Sequence, residues 1–164
     1  MSTSNQPWWR GQRGEWYVVA QFALLVAMLL GPTTLARLPP WPERLIGASS
    51  IAGIALLGLG GLVSLLAAMN LGANLTPLPH PKDGATLVVS GMYRFVRHPI
   101  YFGVILMATG FALSVHGWLT LAEAAVLALF FDIKSRREEI WLAGHFPAYA
   151  VYQQRVRKLI PFLY

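Results

Sequence analysis

Four apolar runs constrain this chain more than any other feature of its sequence. From Trp16 to about Leu35, and again from Leu45 to about Met69, the residues are predominantly apolar. A helix rises 1.5 Å per residue, so ~20 such residues reach across a ~30 Å hydrocarbon core. Two shorter runs follow, from Pro99 to about Val115 and from Trp118 to about Ile133, joined by His116-Gly117. They read as a tight hairpin whose tip sits just inside the interface, with Trp118 as its anchor. With 55% hydrophobic and 12% charged residues, the chain lacks the material for an ordinary soluble surface. The expectation is an all-α integral membrane protein of about four transmembrane helices, forming a single domain over 1-164.

The basic residues orient these spans. With both termini on one side, that side receives Arg10, Arg13, Lys82, Arg94, Arg97, Lys134, Arg136, Arg137, Arg155, Arg157 and Lys158, and the other receives Arg37 and Arg44. Eleven against two predicts that the termini and the long loop are cytoplasmic. The formal charge of +6 therefore reads as basic loops over anionic lipid, not as a nucleic-acid surface. No cleavable signal is visible, so the first run is expected to stay as a membrane helix. Trp8, Trp9, Arg10 and Arg13 before it suit the headgroup region. The lack of cysteine excludes disulfides, thiolate metal sites and a cysteine nucleophile.

Residues 1-70 read as an N-terminal helical hairpin, turned at Leu38-Pro39-Pro40-Trp41-Pro42, where proline forbids a helix. In its second span Ala48/Ala52 and Gly60/Ser64/Ala68 recur at four-residue spacing, which lets another helix approach closely. Residues 70 to 98 form the longest polar interval, broken by Pro77, Pro79, Pro81 and Gly84, and a loop that long is commonly functional. Beyond the fourth span, Lys134 to Gly144 reads as a helix leaving the membrane, and Pro147 opens another that carries Tyr149 and Tyr152 on one face. The apolar end Ile160-Pro161-Phe162-Leu163-Tyr164 is expected to pack back or to dip into the interface. The 70-98 loop and the C-terminal helices would then form a cytoplasmic cap, making 71-164 the cofactor-binding, catalytic half.

The polar loop becomes an apolar helix at Gly91-Met92-Tyr93-Arg94-Phe95-Val96-Arg97-His98-Pro99-Ile100-Tyr101-Phe102-Gly103. Pro99 fixes its own φ and disfavours helix at His98, which places His98 at the cap and Pro99 at the first helical position. Arg97 and His98 thus stand at the positive end of a helix, a seat for a carboxylate. Tyr101 and Gly103 on the first turn suggest a ligand passing close to the backbone. Taken alone, these residues are equally a snorkelling arginine and a helix cap.

The stretch resembles the membrane methyltransferase superfamily of isoprenylcysteine carboxyl methyltransferases and phospholipid N-methyltransferases, whose hallmark reads Gly-x-Tyr-x-x-x-Arg-His-Pro-x-Tyr-x-Gly. Leu75-Thr76-Pro77 before it, and Glu138-Glu139, Phe146-Pro147-x-Tyr149-x-x-Tyr152 and Leu159-Ile160-Pro161-Phe162-Leu163-Tyr164 after it, extend the resemblance over roughly the C-terminal half. The resemblance implies S-adenosylmethionine as cofactor, held by Arg97, His98, Tyr101, Gly103, Glu138 and Glu139. It also implies methyl transfer at the membrane interface to a lipophilic acceptor, the carboxylate or amine of a prenylated or lipid-like molecule. Without it, Glu138-Glu139 would read as a solvated helix turn, with Lys134 and Arg136 as ordinary ion partners. If the acceptor must lose a proton, His98, Tyr101 or Glu123 could take it.

Glu123 lies about one and a half turns into the fourth span, where an acid needs a partner or a water-lined cavity unless it sits at the interface. His116 and His145 read as interface residues, and His80 stands too far from other ligand types for a metal site. Gly58, Gly60 and Gly61 follow no strand and read as helix packing. Two other readings remain: an NADPH-dependent membrane reductase, because sterol reductases share a related Arg-His-x-x-Tyr-x-Gly ending, and a small membrane scaffold. Pro99, the acidic pair and the short chain weigh against the reductase.

Overall fold

The computed structural model describes residues 11–164, so the segment with Trp8, Trp9 and Arg10 lies outside the described residues. Proline and glycine punctuation sets the helix boundaries. α1 runs Glu15–Leu30 and stops at Gly31, short of the Leu35 expected, because Pro32 follows. α2 runs Glu43–Leu71 with Pro42 at its cap. α3, Pro99–Ser114, begins as its sequence requires, with His98 at the cap (φ −124°, ψ 63°) and Pro99 in the first turn. α4, Trp118–His145, is one continuous helix where two segments meeting near Ile133 were expected. No proline or glycine occurs between Trp118 and Ala143 to break it. α5 is short, Tyr149–Arg155. Among the described residues, Glu43–Asn74 is the one helical stretch long and apolar enough to cross a membrane by length and composition.

α2 and α3 pack antiparallel along a seam of small residues. A Cβ on Gly103 would lie 2.6 Å from the Gly60 carbonyl oxygen and collide with the Ser64 hydroxyl. One on Gly53 would lie 2.7 Å from the Gly110 carbonyl oxygen. Gly60 and Ser64 therefore face the partner helix as their spacing suggests. Ala48 and Ala52 do not: they are exposed, and Ser49 and Gly53 take the inner face. Behind the seam, Met28 of α1, Ala108 and Ala112 of α3, and Ala124, Leu127 and Phe131 of α4 form the core. Many large apolar side chains of α1 and α2 point outward, Leu30 at 82% and Ile51 at 73% exposed, and Phe22, Ile54, Leu65 and Met69 likewise exposed. Small residues inside and large apolar ones outside suit a hydrocarbon surround.

The α2–α3 connection contains two short 3-10 turns, Gly72–Asn74 and Gly91–Arg94, and is tied to the end of α2. Asn70 Oδ1 accepts from the Met92 amide (2.8 Å), and Asn74 Oδ1 accepts from the Thr86 amide (3.1 Å). Gly91 sits at φ 60° with the Asn70 side chain in the space a Cβ would need. Both its conformation and its neighbour require glycine.

The C-terminal tail returns to the start of α3. Val96 pairs in parallel with Arg157, the Arg97 amide donates to the Arg157 carbonyl (2.8 Å), and the His98 amide donates to the Lys158 carbonyl (3.1 Å). The expected apolar end is divided. Leu159 is buried, whereas Phe162 and Leu163 are among the most exposed large apolar side chains of the described residues.

Candidate functional site

The end of α2, the 75–98 loop, the start of α3, the polar end of α4 and α5 enclose a cavity of about 380 Å³. Its walls are mostly apolar, including Leu71, Leu75, Leu87, Ile100, Leu142 and Phe146. Its polar side chains include Arg97, His98, Tyr101, Lys134 and Glu138. Four of the residues singled out from sequence thus meet at one cavity, although Arg97 to Tyr101 lie about forty positions from Glu138.

Those residues are not equivalent. The carboxylate seat formed by Arg97 and His98 is filled by the protein's own Glu139. Arg97 Nε donates to Glu139 Oε1 (2.7 Å), His98 Nε2 lies 3.1 Å from the same oxygen, and Gln153 Nε2 donates to Oε2 (3.1 Å). A carboxylate only accepts, so His98 carries its proton on Nε2. Burial pushes the Glu139 carboxyl up, but the bonds from His98 and Arg97 outweigh it and hold the group at about 2. Arg97 Nη1 donates to the Gln153 carbonyl (3.1 Å) and to that of Val156, satisfying the C-terminal end of α5. Arg97 and Glu139 therefore brace α5 and the tail against α3 and α4. The expectation that Arg97 presents a free guanidinium to a ligand carboxylate is corrected by these bonds.

Glu138, one residue earlier, faces the cavity. Its Oε2 accepts from the Tyr101 hydroxyl (2.6 Å) and lies 3.8 Å from His98 Nδ1, and its side chain stays 23% exposed. The Tyr101 ring is stacked on His98 (centroids 5.4 Å, planes 4° apart) and on Phe131 (4.6 Å, 19°). A hydrogen bond and two stacking partners thus fix the orientation of Tyr101.

Two expected site residues lie elsewhere. Gly103 borders α2, and the room its missing side chain leaves is taken by Gly60 and Ser64. Glu123 is on α4 fifteen residues before Glu138, ~22 Å along the helix, too far to serve as a base at this cavity. Its Oε2 is buried without a partner among the described residues.

Three site residues went unrecognised in the sequence. Lys134, 1% exposed, reaches the cavity one turn before Glu138 and lies over the Tyr101 ring at 5.1 Å. Gln153 holds Glu139. Tyr149, expected as part of a helix face and of the resemblance, is buried in the cavity wall, and its hydroxyl has no hydrogen-bond partner among the described residues. The signal for Lys134 was its four-residue spacing from Glu138, which puts both on one helix face. Gln153 had no comparable signal.

The phospholipid methyltransferase family profile matches residues 48–148. The chain is 31% identical over 118 residues to a protein of Oryza sativa subsp. indica named "Probable protein-S-isoprenylcysteine O-methyltransferase", covering 70% of this chain and 62% of that one. It is 30% identical over 158 residues to the cobalt-zinc-cadmium resistance protein CzcN of Cupriavidus metallidurans, covering 94% and 65%. It therefore spans less than two thirds of the length of either relative. Its fold is similar to that of a eukaryotic intramembrane isoprenylcysteine carboxyl methyltransferase, with a TM-score of 0.67 and 23% identity over 99% of this chain and 55% of that one. The profile covers more than half of the chain, including the Arg97-His98-Pro99 turn and the Glu138-Glu139 pair, so the chain belongs to the phospholipid methyltransferase family.

Proposed function

We propose that this protein is an S-adenosylmethionine-dependent membrane methyltransferase that methylates a lipophilic acceptor where the bilayer meets the cytosol. The observation that carries this reading is Glu138, a carboxylate held by Tyr101 in a mostly apolar cavity beside the family's hallmark turn. The polar groups present fit the cofactor. Glu138 can receive an ammonium, and the Tyr149 hydroxyl, without a hydrogen-bond partner among the described residues, can donate to a ligand oxygen or nitrogen. When bound, the sulfonium cofactor supplies an electrophilic methyl carbon, whose bond to sulfur breaks as the acceptor's lone pair forms the new one.

The protein's part is alignment and exclusion of water. Tyr101, immobilised between His98 and Phe131, holds the Glu138 carboxylate in one direction. Leu71, Leu75, Ile100, Leu142 and Phe146 offer an apolar surface to the acceptor's hydrocarbon. Arg97 and Glu139 act as positioning residues, because the Arg97 guanidinium at the cavity wall is taken up by Glu139 and the Gln153 and Val156 carbonyls, and Glu139 is not part of the cavity lining. A carboxylate acceptor, such as the prenylcysteine named for the Oryza sativa relative, needs no base; an amine acceptor needs one.

For the membrane arrangement we propose that α1 to α4 all cross, with both termini and the cavity on the cytoplasmic side. α1 and α3, at 16 residues, are ~24 Å long and would cross with thinned lipid or flanking aromatic anchors. The support is the charge bias, with Arg94, Arg97, Lys134, Arg136, Arg137, Arg155, Arg157 and Lys158 all near the cavity end of the bundle. Reporter fusions at residues 1 and 164 should both report the cytosol, and opposite locations would remove the four-span arrangement.

Incubating membranes that contain the protein with methyl-labelled S-adenosylmethionine, and identifying the labelled lipid by mass spectrometry, tests the activity and names the acceptor. Calorimetry with S-adenosylmethionine, S-adenosylhomocysteine and NADPH separates the alternatives. Binding of NADPH alone would favour a reductase, and binding of none a scaffold.

A further inference from the structure

Among the described residues, the largely buried cations around the polar end of the bundle are Arg97, Lys134 and Lys158, and two of them have a protein carboxylate. Arg97 is paired with Glu139 at 2.7 Å, and Lys158 with Asp132. The third is Lys134, 1% exposed, with no carboxylate within 4 Å among the described residues. Its ammonium has three N–H groups to place. One donates to Gln21 Oε1 (2.6 Å) and one to the Pro77 carbonyl (3.2 Å); the third has no acceptor among the described residues. Lys134 lines the same cavity as Glu138, which lies one turn further along α4.

A buried ammonium without a counter-charge is costly, and a protein that keeps one beside a cavity commonly completes it with a ligand. Burial lowers this lysine to about 8, against an opposing pull from Glu138, so it is still mostly charged at neutral pH. If Lys134 served only to strap Gln21 to Pro77, a neutral donor would do so without the cost of a charge.

We propose that Lys134 is the anion seat of the cavity, pairing its ammonium with a carboxylate of a bound ligand. Glu138 and Lys134 present opposite charges on one face of α4, which is complementary to a molecule bearing an ammonium and a carboxylate together. The amino-acid end of the methyl donor has both, and a carboxylate acceptor has one. These two sources share the same chemistry and are separated by the test. The choice of ligands rests on the methyl-transfer reading, whereas the seat itself rests on the burial and pairing of Lys134.

The test uses the purified full chain in detergent, as wild type, Lys134→Met and Lys134→Arg. Calorimetry compares S-adenosylhomocysteine with 5′-methylthioadenosine, which keeps the nucleoside thioether and lacks the amino-acid end. Thermal shift compares N-acetyl-S-farnesylcysteine with its methyl ester, and decanoate with decanol. Lys134→Met should lose at least tenfold in affinity for a carboxylate-bearing ligand while its carboxylate-free counterpart binds as in wild type. Lys134→Arg should recover most of the loss. A selective loss in the nucleoside pair assigns the seat to the donor, and one in the farnesyl pair assigns it to the acceptor. The proposal is overturned if Lys134→Met binds every ligand as wild type does, or if carboxylate-bearing and carboxylate-free forms weaken equally. Failure of the methyl-transfer reading looks different, because wild type itself would then bind neither the nucleosides nor the farnesyl compounds. The decanoate arm alone would then decide: stabilisation of wild type that vanishes in Lys134→Met keeps the seat, and an equal response in both removes it.

Discussion

Replacing Glu138 and Glu139 one at a time by Gln should separate two roles that the sequence presents as one acidic pair. Glu139 has donors on both oxygens: Arg97 and His98 on Oε1, and Gln153 on Oε2. An amide in its place sets an NH₂ against one of these donors and leaves the Arg97 guanidinium, with its side chain 12% exposed, without a counter-charge. Breaking a buried pair from one side costs about 3 kcal/mol or more. For a chain of this size that corresponds to a drop in melting temperature of roughly 6 to 12 °C. Glu138 has one close donor, the Tyr101 hydroxyl, from which an amide oxygen can still accept. Glu138→Gln should therefore cost under about 1 kcal/mol in stability. Its loss should appear in binding instead, as a weakening for S-adenosylhomocysteine of about 1.5 to 3 kcal/mol, or roughly ten- to hundredfold. Differential scanning fluorimetry and calorimetry on the same detergent-purified samples read both quantities. Equal melting shifts in the two variants, or full affinity in Glu138→Gln, would refute the division into a brace and a ligand-facing acid.

The brace also predicts a pH dependence. Glu139 is held at about 2 against an ordinary 4.5, so its contribution to stability is complete above pH 4.5 and is lost as the pH falls from there through about 2. Melting temperature should stay level from pH 7 to 5 and fall below, and this component of the fall should be missing in Glu139→Gln. Gly103→Leu should lower the melting temperature or prevent folding by forcing α2 from α3, while Gly103→Ala, where it folds, should bind S-adenosylhomocysteine within about twofold of wild type; selective loss of binding at full stability would return Gly103 to the site. Tyr149→Phe removes a buried hydroxyl without a partner among the described residues and should leave unliganded stability level or raised while weakening ligand affinity; a lower melting temperature with unchanged affinity would show that the hydroxyl serves the fold. Glu123→Gln should leave cofactor affinity unchanged, since its helix carries it ~22 Å from Glu138, and a loss of binding would place it in a site the described cavity does not include.

Much of the scaffold was legible because proline and glycine act locally. Pro99 starts α3 and places His98 at its cap through restrictions on two adjacent residues, and the Gly60/Ser64 spacing marks the face on which α3 lies. The meeting of the loop-to-helix turn with the acidic pair was legible only through the resemblance to a family, because no local rule links Arg97 to Glu139. What could not be read was how the polar groups pair. Arg97 and His98 read as a carboxylate seat, and in the structure the chain's own Glu139 occupies it, because the path of α5 and the tail brings Gln153, Val156, Arg157 and Lys158 to the same place. Gly103 has a similar history: a missing side chain leaves room, and only tertiary packing decides that α2 takes it.

The continuity of α4 connects these assignments. A helix broken near Ile133 would have let the polar segment hinge relative to the apolar one, and the spacing between Phe131, Lys134 and Glu138 would not be fixed. In one unbroken helix, Phe131 in the core stacks on Tyr101, Lys134 three residues later lies over the same ring, and Glu138 a turn beyond accepts the Tyr101 hydroxyl. Tyr101 thus meets three consecutive turns of α4 by stacking, by cation–π contact and by a hydrogen bond. The apolar interior of the bundle and the charged wall of the cavity are thereby held in one register. The same ring therefore touches Phe131 in the core and both Lys134 and Glu138 at the cavity.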